Sequence, residues 1–224
     1  MQTQAHPVRF TGAGVNVDAD VTIPAGASGI VLFVHGSGSS RQSPRNQFVA
    51  SYLRAQALGT VLMDLLTPGE ERADQFTGHL RFDIGFLARR VIGVLDEVRE
   101  LAPLPLGLFG ASTGAAAALV VAAAPSARIS AVVSRGGRPD LAASSLSDVQ
   151  VPTLLIVGGE DREVLALNEK AMERMNTKVR LEVVPGASHL FHEPGALETV
   201  AHLAADWFTA HLGRDRPPPI VDRR

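Results

Sequence analysis

The pentapeptide Gly110-Ala111-Ser112-Thr113-Gly114 is the strongest indication of how this chain folds. It has the G-x-S-x-G pattern of a nucleophile elbow, a sharp strand-to-helix turn that projects a serine above a sheet. Glycines two residues either side of the serine let the strand and the helix approach without Cβ clashes. The pattern therefore predicts that Ser112 is a catalytic nucleophile.

The segments on either side of the pentapeptide fit such a turn. Residues 104–109 form an apolar run that is typical of a buried strand. Residues 113–124 are apolar on every side, which indicates a buried helix. Alanines at 115–118 would let that helix lie close against a sheet. This context favours a true elbow over a chance match to a short pattern.

Two later strand ends supply an acid and a histidine. Residues 151–158 predict a strand that leads to Glu160 and Asp161, and residues 179–184 predict one that leads to His189. In open α/β sheets, ligands bind at this carboxyl edge of the strands. A histidine whose pKa lies near neutral pH can take the proton of a serine, and an acid can orient that histidine. The order serine, acid, histidine predicts a catalytic triad, with either acid as its second member.

A glycine-rich loop follows another apolar strand, at residues 29–34, and begins His35-Gly36-Ser37-Gly38. In this arrangement a loop N–H and the N–H after the nucleophile stabilise a developing oxyanion. We expect Ser37 and Thr113 to donate these N–H groups, with Gly38 as the alternative loop donor. The histidine of the loop is expected to order the glycines rather than act as a base.

Strand and helix patterns alternate along the chain after an N-terminal hairpin. They predict an α/β fold with a mostly parallel central sheet, an antiparallel N-terminal hairpin and helices on both faces. Strands are expected near residues 8–11, 15–23, 29–34, 59–63, 105–110, 129–134, 153–158 and 179–184. Helices are expected near residues 44–56, 83–101, 113–124, 164–175 and 195–212.

The remaining segments complete the predicted organisation. Residues 1–213 are interpreted as one domain, and the proline-containing residues 214–224 as a loose tail. Residues 65–82 are interpreted as a long charged loop at a functional edge. The link at residues 135–140 is short, so no lid domain is expected.

Composition excludes several classes of protein and site. The net charge of −2 argues against nucleic acid as a partner. No apolar run reaches about 20 residues, so no membrane span is expected. The absence of cysteine excludes disulfides, thiolate metal sites and a cysteine nucleophile. The N-terminus lacks an apolar signal core, and we expect a cytoplasmic protein without cofactor or metal.

Four arginines follow two of the predicted strand ends, and they are Arg41, Arg45, Arg135 and Arg138. They are either solvated loop charges held in salt bridges or the donors of a guanidinium site for an anionic substrate. Arg41 and Arg135 are the two candidates for substrate binding.

The chain resembles the dienelactone hydrolase-like branch of the α/β-hydrolase superfamily. The resemblance rests on the loop at residues 35–38, the elbow, the turns at 158–161 and 186–189, and the segments 64–68 and 81–84. It implies the α/β-hydrolase fold, and its G-x-x-D turn favours Asp161 over Glu160 as the triad acid. Founding members use a cysteine nucleophile, and Ser112 stands in that place here. The resemblance thus implies hydrolysis of ordinary carboxylic esters.

The residues and the resemblance together predict a serine hydrolase that cleaves small carboxylic esters through an acyl-enzyme. A thioesterase, a peptidase or an acyltransferase would use the same triad. Some proteins of this fold bind small molecules without turning them over, since a fold does not fix a function.

Overall fold

A computed structural model describes residues 5–213, so the predicted tail at 214–224 lies outside the described residues. The strands are β1 (His6–Gly12), β2 (Val15–Thr22), β3 (Ile30–Val34), β4 (Gly59–Met63), β5 (Leu106–Ala111), β6 (Ile129–Arg135), β7 (Thr153–Gly158) and β8 (Val179–Val184). The helices are α1 (Pro44–Ala55), α2 (Pro68–Thr77), α3 (His79–Phe82), α4 (Ile84–Leu101), α5 (Thr113–Ala123), α6 (Arg162–Met172) and α7 (Ala196–His211).

The eight strands form one sheet in the order β1-β2-β4-β3-β5-β6-β7-β8. β1 pairs with β2, and β2 with β4, in antiparallel fashion, whereas every other pairing is parallel. The hairpin closes through Ala13 and Gly14, both with positive φ, as a two-residue type I′ turn requires. The predicted fold, with its antiparallel hairpin, is confirmed.

Helices cover both faces of the sheet, because the central strands β3 to β7 are buried on both sides. β6 illustrates the alternation: Val132 packs into a core shared with α4, α5 and α6. Its neighbours Ala131 and Val133 point the opposite way, into a core shared with α1 and α7. The carboxyl ends of β3, β5, β6 and β7 therefore lie at one edge, between two rigid layers.

The interpretation of residues 65–82 as a loop is wrong, since most of this segment is helical. α2 begins at a capping box, in which the Thr67 hydroxyl accepts from the Glu70 N–H at 3.2 Å. The Glu70 carboxylate in turn accepts from the Thr67 N–H at 2.7 Å. A threonine followed three residues later by a glutamate is a sequence signal for a helix start. The many charges of the segment obscured this signal.

The link between β6 and β7 holds two short 3-10 helices, Pro139–Ala142 and Leu146–Asp148, and no inserted lid domain. Of the helices within residues 5–213, none has the length and apolar character needed to span a bilayer.

Candidate active site

Ser112 occupies the turn between β5 and α5 in a strained backbone conformation, with φ 51° and ψ −122°. A non-glycine residue in such a conformation costs on the order of 1–3 kcal/mol and needs support from its surroundings. The support comes from the end of β6, where the Ser112 N–H donates to the Arg135 carbonyl at 3.2 Å. The Arg138 N–H donates to the Ser112 carbonyl, also at 3.2 Å. This is the geometry that the pentapeptide predicts.

The two glycines of the elbow are required by close packing. A Cβ on Gly110 would lie 2.4 Å from the Ala115 Cα, and one on Gly114 would lie 2.2 Å from the Val34 carbonyl oxygen. Neither distance leaves room for a carbon atom. α5 therefore lies against β5 and β3 as closely as its sequence suggested.

Asp161 and His189 form the acid–histidine pair of the site. Asp161 Oδ2 lies 2.6 Å from His189 Nδ1. Asp161 also stands at the N-cap position of α6, yet its side chain makes no capping hydrogen bond. Its carboxylate thus bonds to the imidazole and does not cap the helix. Glu160, the alternative acid, is exposed.

Ser112 and His189 both lie beside the end of β6. A Cβ on Gly136 would lie 3.5 Å from His189 Nδ1, while Arg135, the residue before it, holds the backbone of Ser112. Within residues 5–213, no hydrogen bond joins the Ser112 hydroxyl to the imidazole. Such contacts often tighten only when substrate binds.

His35 orders the glycine loop between β3 and α1. It is buried, its Nδ1–H donates to the Gly36 carbonyl at 2.9 Å, and its Nε2 accepts from the Leu65 N–H at 3.0 Å. Burial lowers the pKa of His35, although the Gly36 hydrogen bond and the carboxylates of Asp64 and Glu71 oppose this effect. The imidazole is therefore neutral and ties the loop to the end of β4.

The loop faces the elbow directly. The Ser37 N–H donates to Thr113 Oγ1 at 2.9 Å. One of the two expected oxyanion donors is therefore already hydrogen-bonded within the protein. A Cβ on Gly36 would lie 3.1 Å from the Ser112 Cβ, so the loop backbone touches the serine. Gly38 adopts a φ of 67°, a conformation that favours glycine.

A cavity of about 260 Å³ opens beside this loop. Its walls come from loop residues 35–40, from residues 64–66 after β4, and from α2 and Arg81. It shares Gly36 and Ser37 with the elbow contacts, although Ser112 and His189 do not line it. The cavity thus lies on the β4 side of the serine.

The four candidate arginines differ in their partners. Arg41 pairs with Asp64, and its Nε lies 3.5 Å from Asp20 Oδ2. Arg138 pairs with Asp140 at 2.8 Å. Both match the salt-bridge interpretation of these residues.

The other two arginines form no ion pair among residues 5–213. Nε of Arg45, and Nε and Nη1 of Arg135, are buried and have no hydrogen-bond partner there. Nε of Arg41 has none either, but the Arg41 guanidinium is paired with carboxylates. Burial and, secondly, the charge of Arg45 lower the pKa of Arg135 to about 10. From the sequence, Arg41 and Arg135, and not Arg45, are the candidates for substrate binding. The sequence does not show which of these arginines lies beside a carboxylate.

No group of three metal-ligating side chains occurs within residues 5–213. His192, the neighbour of His189 in the sequence, is exposed and lies 3.4 Å from the Glu193 carboxylate.

Comparisons with known proteins place the chain in a family. The model of the dienelactone hydrolase family matches residues 74–212. The structure of a dienelactone hydrolase from Anabaena variabilis is 54% identical, with a TM-score of 0.91, over 95% of this chain and 100% of that one. A Xanthomonas campestris structure described as an a/b serine hydrolase without lid is 22% identical, with a TM-score of 0.75, over 97% of this chain and 99% of that one. That identity supports the shared fold alone.

Curated relatives carry a different name. A Mycobacterium tuberculosis protein (strain H37Rv) named "Putative phosphoribosyl transferase" is 54% identical over 208 residues, which are 92% of this chain and 46% of the relative. The chain thus spans about half the length of this relative. On the family match and the Anabaena structure together, the chain belongs to the dienelactone hydrolase family of α/β-hydrolases.

Proposed function

We propose that this hydrolase cleaves small carboxylic esters through an acyl-enzyme formed on Ser112. The observation that carries the proposal is the arrangement at one sheet edge. Ser112 is held in a strained turn at the end of β5. His189 lies beside the end of β6, and its Nδ1 is 2.6 Å from Asp161 Oδ2, which orients the ring. Family membership supports hydrolysis, and the residues at this edge supply the finer assignment.

In the proposed reaction, His189 Nε2 accepts the Ser112 proton as Oγ attacks the ester carbonyl carbon. The Nδ1–H donates to Asp161 throughout, which fixes the tautomer and stabilises the imidazolium. His189 then returns the proton to the departing alcohol. A water molecule repeats the sequence on the acyl-enzyme and releases the acid.

Two backbone N–H groups are the proposed oxyanion donors. Thr113 is the first residue of α5, so its N–H has no acceptor within the helix. The Ser37 N–H points at the elbow, where the Thr113 hydroxyl accepts it. Rotation of the Thr113 side chain would release this donor to the developing oxyanion. Gly38 remains the alternative loop donor.

The size of the adjacent cavity favours small substrates. A volume of about 260 Å³ falls below the range of roughly 300–1,000 Å³ that is usual for sites of drug-sized ligands. One substituent of a short ester would fit there, next to the oxyanion loop.

Replacement of the nucleophile tests the proposal. Ser112→Ala should reduce kcat/KM for a short p-nitrophenyl ester by about 10⁴-fold or more, because triad members act as a unit. Ser51→Ala is the matched control, since its exposed hydroxyl bonds the Phe48 carbonyl on α1. The control should retain full turnover. Undiminished hydrolysis by Ser112→Ala would contradict the proposal.

Labelling by a fluorophosphonate separates the remaining alternatives. Covalent labelling of Ser112 is expected, and its loss in His189→Ala would show that the imidazole activates the serine. A serine that stays unlabelled would favour a binding protein of the same fold. Esters, thioesters and amides of one acyl group would then rank the possible bonds. Phosphoribosyl transfer is not proposed, because the residues at this edge are those of acyl chemistry.

A further inference from the structure

Arg135 is a buried arginine at the end of β6. Only 8% of its surface is exposed, and its Nε and Nη1 have no hydrogen-bond acceptor. The buried Nε of Arg45 also lacks an acceptor. Arg41 and Arg90 keep buried nitrogens without acceptors as well, but their guanidinium groups are paired with carboxylates. Within the part of the chain that the structure describes, neither Arg45 nor Arg135 forms an ion pair. Buried donors without partners are costly, and a native structure that keeps them invites a functional explanation.

The charge of Arg45 acts on Arg135. Burial, and then the charge of Arg45, lower the pKa of Arg135 to about 10. Arg135 is therefore still protonated at neutral pH, and Arg45 lies close enough for its charge to act on it. A ligand with negative charge would relieve both the repulsion and the missing hydrogen bonds.

The pair stands next to the proposed nucleophile. Arg135 ends β6, pairs in register with Ala111 of β5, and accepts the Ser112 N–H with its carbonyl. Its position in β6 directs its side chain to the same face as Val133, toward the layer of α1 and α7. Arg45 lies in the first turn of α1, where the helix dipole also favours an anion.

The sheet order separates this pair from the cavity. Along the sheet the strands run β4, β3, β5, β6. The cavity lies at the ends of β3 and β4, Ser112 follows β5, and Arg135 ends β6. An ester bound at Ser112 could therefore place one part in the cavity and the other at the arginines.

We propose that Arg45 and Arg135 form a subsite for a phosphate monoester group carried by the substrate. The inference rests on the proposed function only in placing the reacting ester at Ser112. Binding of the phosphate group itself depends on the arginines alone.

Charge and donor number favour phosphate over carboxylate. A phosphate monoester carries about −1.5 to −2 charges near pH 7 and three strong acceptor oxygens. The site offers two cationic groups and three buried N–H-bearing nitrogens without acceptors. A carboxylate would balance one charge and leave the second guanidinium unpaired.

Titration of the Ser112→Ala protein with inorganic phosphate, measured by calorimetry at about pH 8, tests the subsite without any turnover. Arg135→Gln and Arg45→Gln should each weaken phosphate binding about tenfold or more. Arg54→Gln, on the same helix but bonded to the Thr60 hydroxyl, is the matched control and should bind normally. Acetate, the singly charged probe, should bind at least about tenfold more weakly than phosphate.

Each result decides the matter. Absence of phosphate binding, or equal binding by the parent and both glutamine variants, would overturn the subsite. Acetate binding as tight as that of phosphate would overturn the choice of a phosphate group. Unfolding curves of each variant show whether a loss of binding reflects a loss of fold. If phosphate binds as expected but Ser112→Ala still cleaves esters, only the proposed function fails.

Discussion

Arg41 lies in the loop that follows β3, and Arg135 is the last residue of β6, yet their surroundings differ completely. Arg41 meets Asp64 and Asp20, which arrive from the end of β4 and from β2. Arg135 meets another arginine and no carboxylate partner among the described residues. At the same edge of the sheet, Arg41 is thus a structural tie, an arginine that joins two strand ends through ion pairs, whereas Arg135 is a cation without an ion pair among residues 5–213. Neighbouring strands, rather than local sequence, set the difference.

Arg41→Ala should give the largest change that this comparison predicts. It would leave two partly buried carboxylates side by side without their cation. Breaking a buried pair costs about 3–5 kcal/mol, and the residual exposure here reduces the expected loss of unfolding free energy to about 2 kcal/mol. Urea unfolding measures it. Arg9→Ala, which breaks the exposed Arg9–Asp18 pair, should change stability by less than about 0.5 kcal/mol. Similar losses in both variants would show that Arg41 is not a structural tie.

Arg135→Met should raise the unfolding free energy, whereas Arg41→Ala lowers it. Methionine keeps much of the side-chain volume and removes a buried charge that has no partner, so unfolding free energy should rise by about 1 kcal/mol. The same urea titration checks it in phosphate-free buffer. A loss of stability as large as that of Arg41→Ala would mean that Arg135 is held by internal contacts, and the contrast between the two arginines would disappear.

The smallest predicted effect concerns His35, which anchors the loop that carries Arg41. Burial lowers the pKa of His35 below its ordinary 6.5, so the unfolded chain binds more protons just below that pH. Stability therefore falls as the pH drops below about 6.5, by at most about 0.8 kcal/mol at about pH 6 from this group. His35→Gln should flatten the pH dependence between about pH 7 and 6. An unchanged slope in this variant would assign the effect to other groups.

Much of the fold was predictable because its signals are local. The alternation of apolar strands and helices, the hairpin at residues 13–14 and the elbow glycines each depend on residues close in the chain. α2 was missed although its capping box is a local signal, since charges dominate the pattern there. The predicted pair of Asp161 and His189 meets at 2.6 Å, because both follow adjacent parallel strands.

The sequence by itself determined the order of the strands and of every helix except α2 and α3, the strained turn at Ser112 and the candidates for the acid and the base. These follow from backbone preferences and from residue spacing, which act over a few positions. Only the tertiary structure decided that Ser37 donates to Thr113, that Asp161 bonds His189 instead of capping its helix, and that Arg135 has no counterion among residues 5–213. Such pairings depend on which strands lie side by side, and electrostatic energy depends on distance and burial rather than on sequence separation.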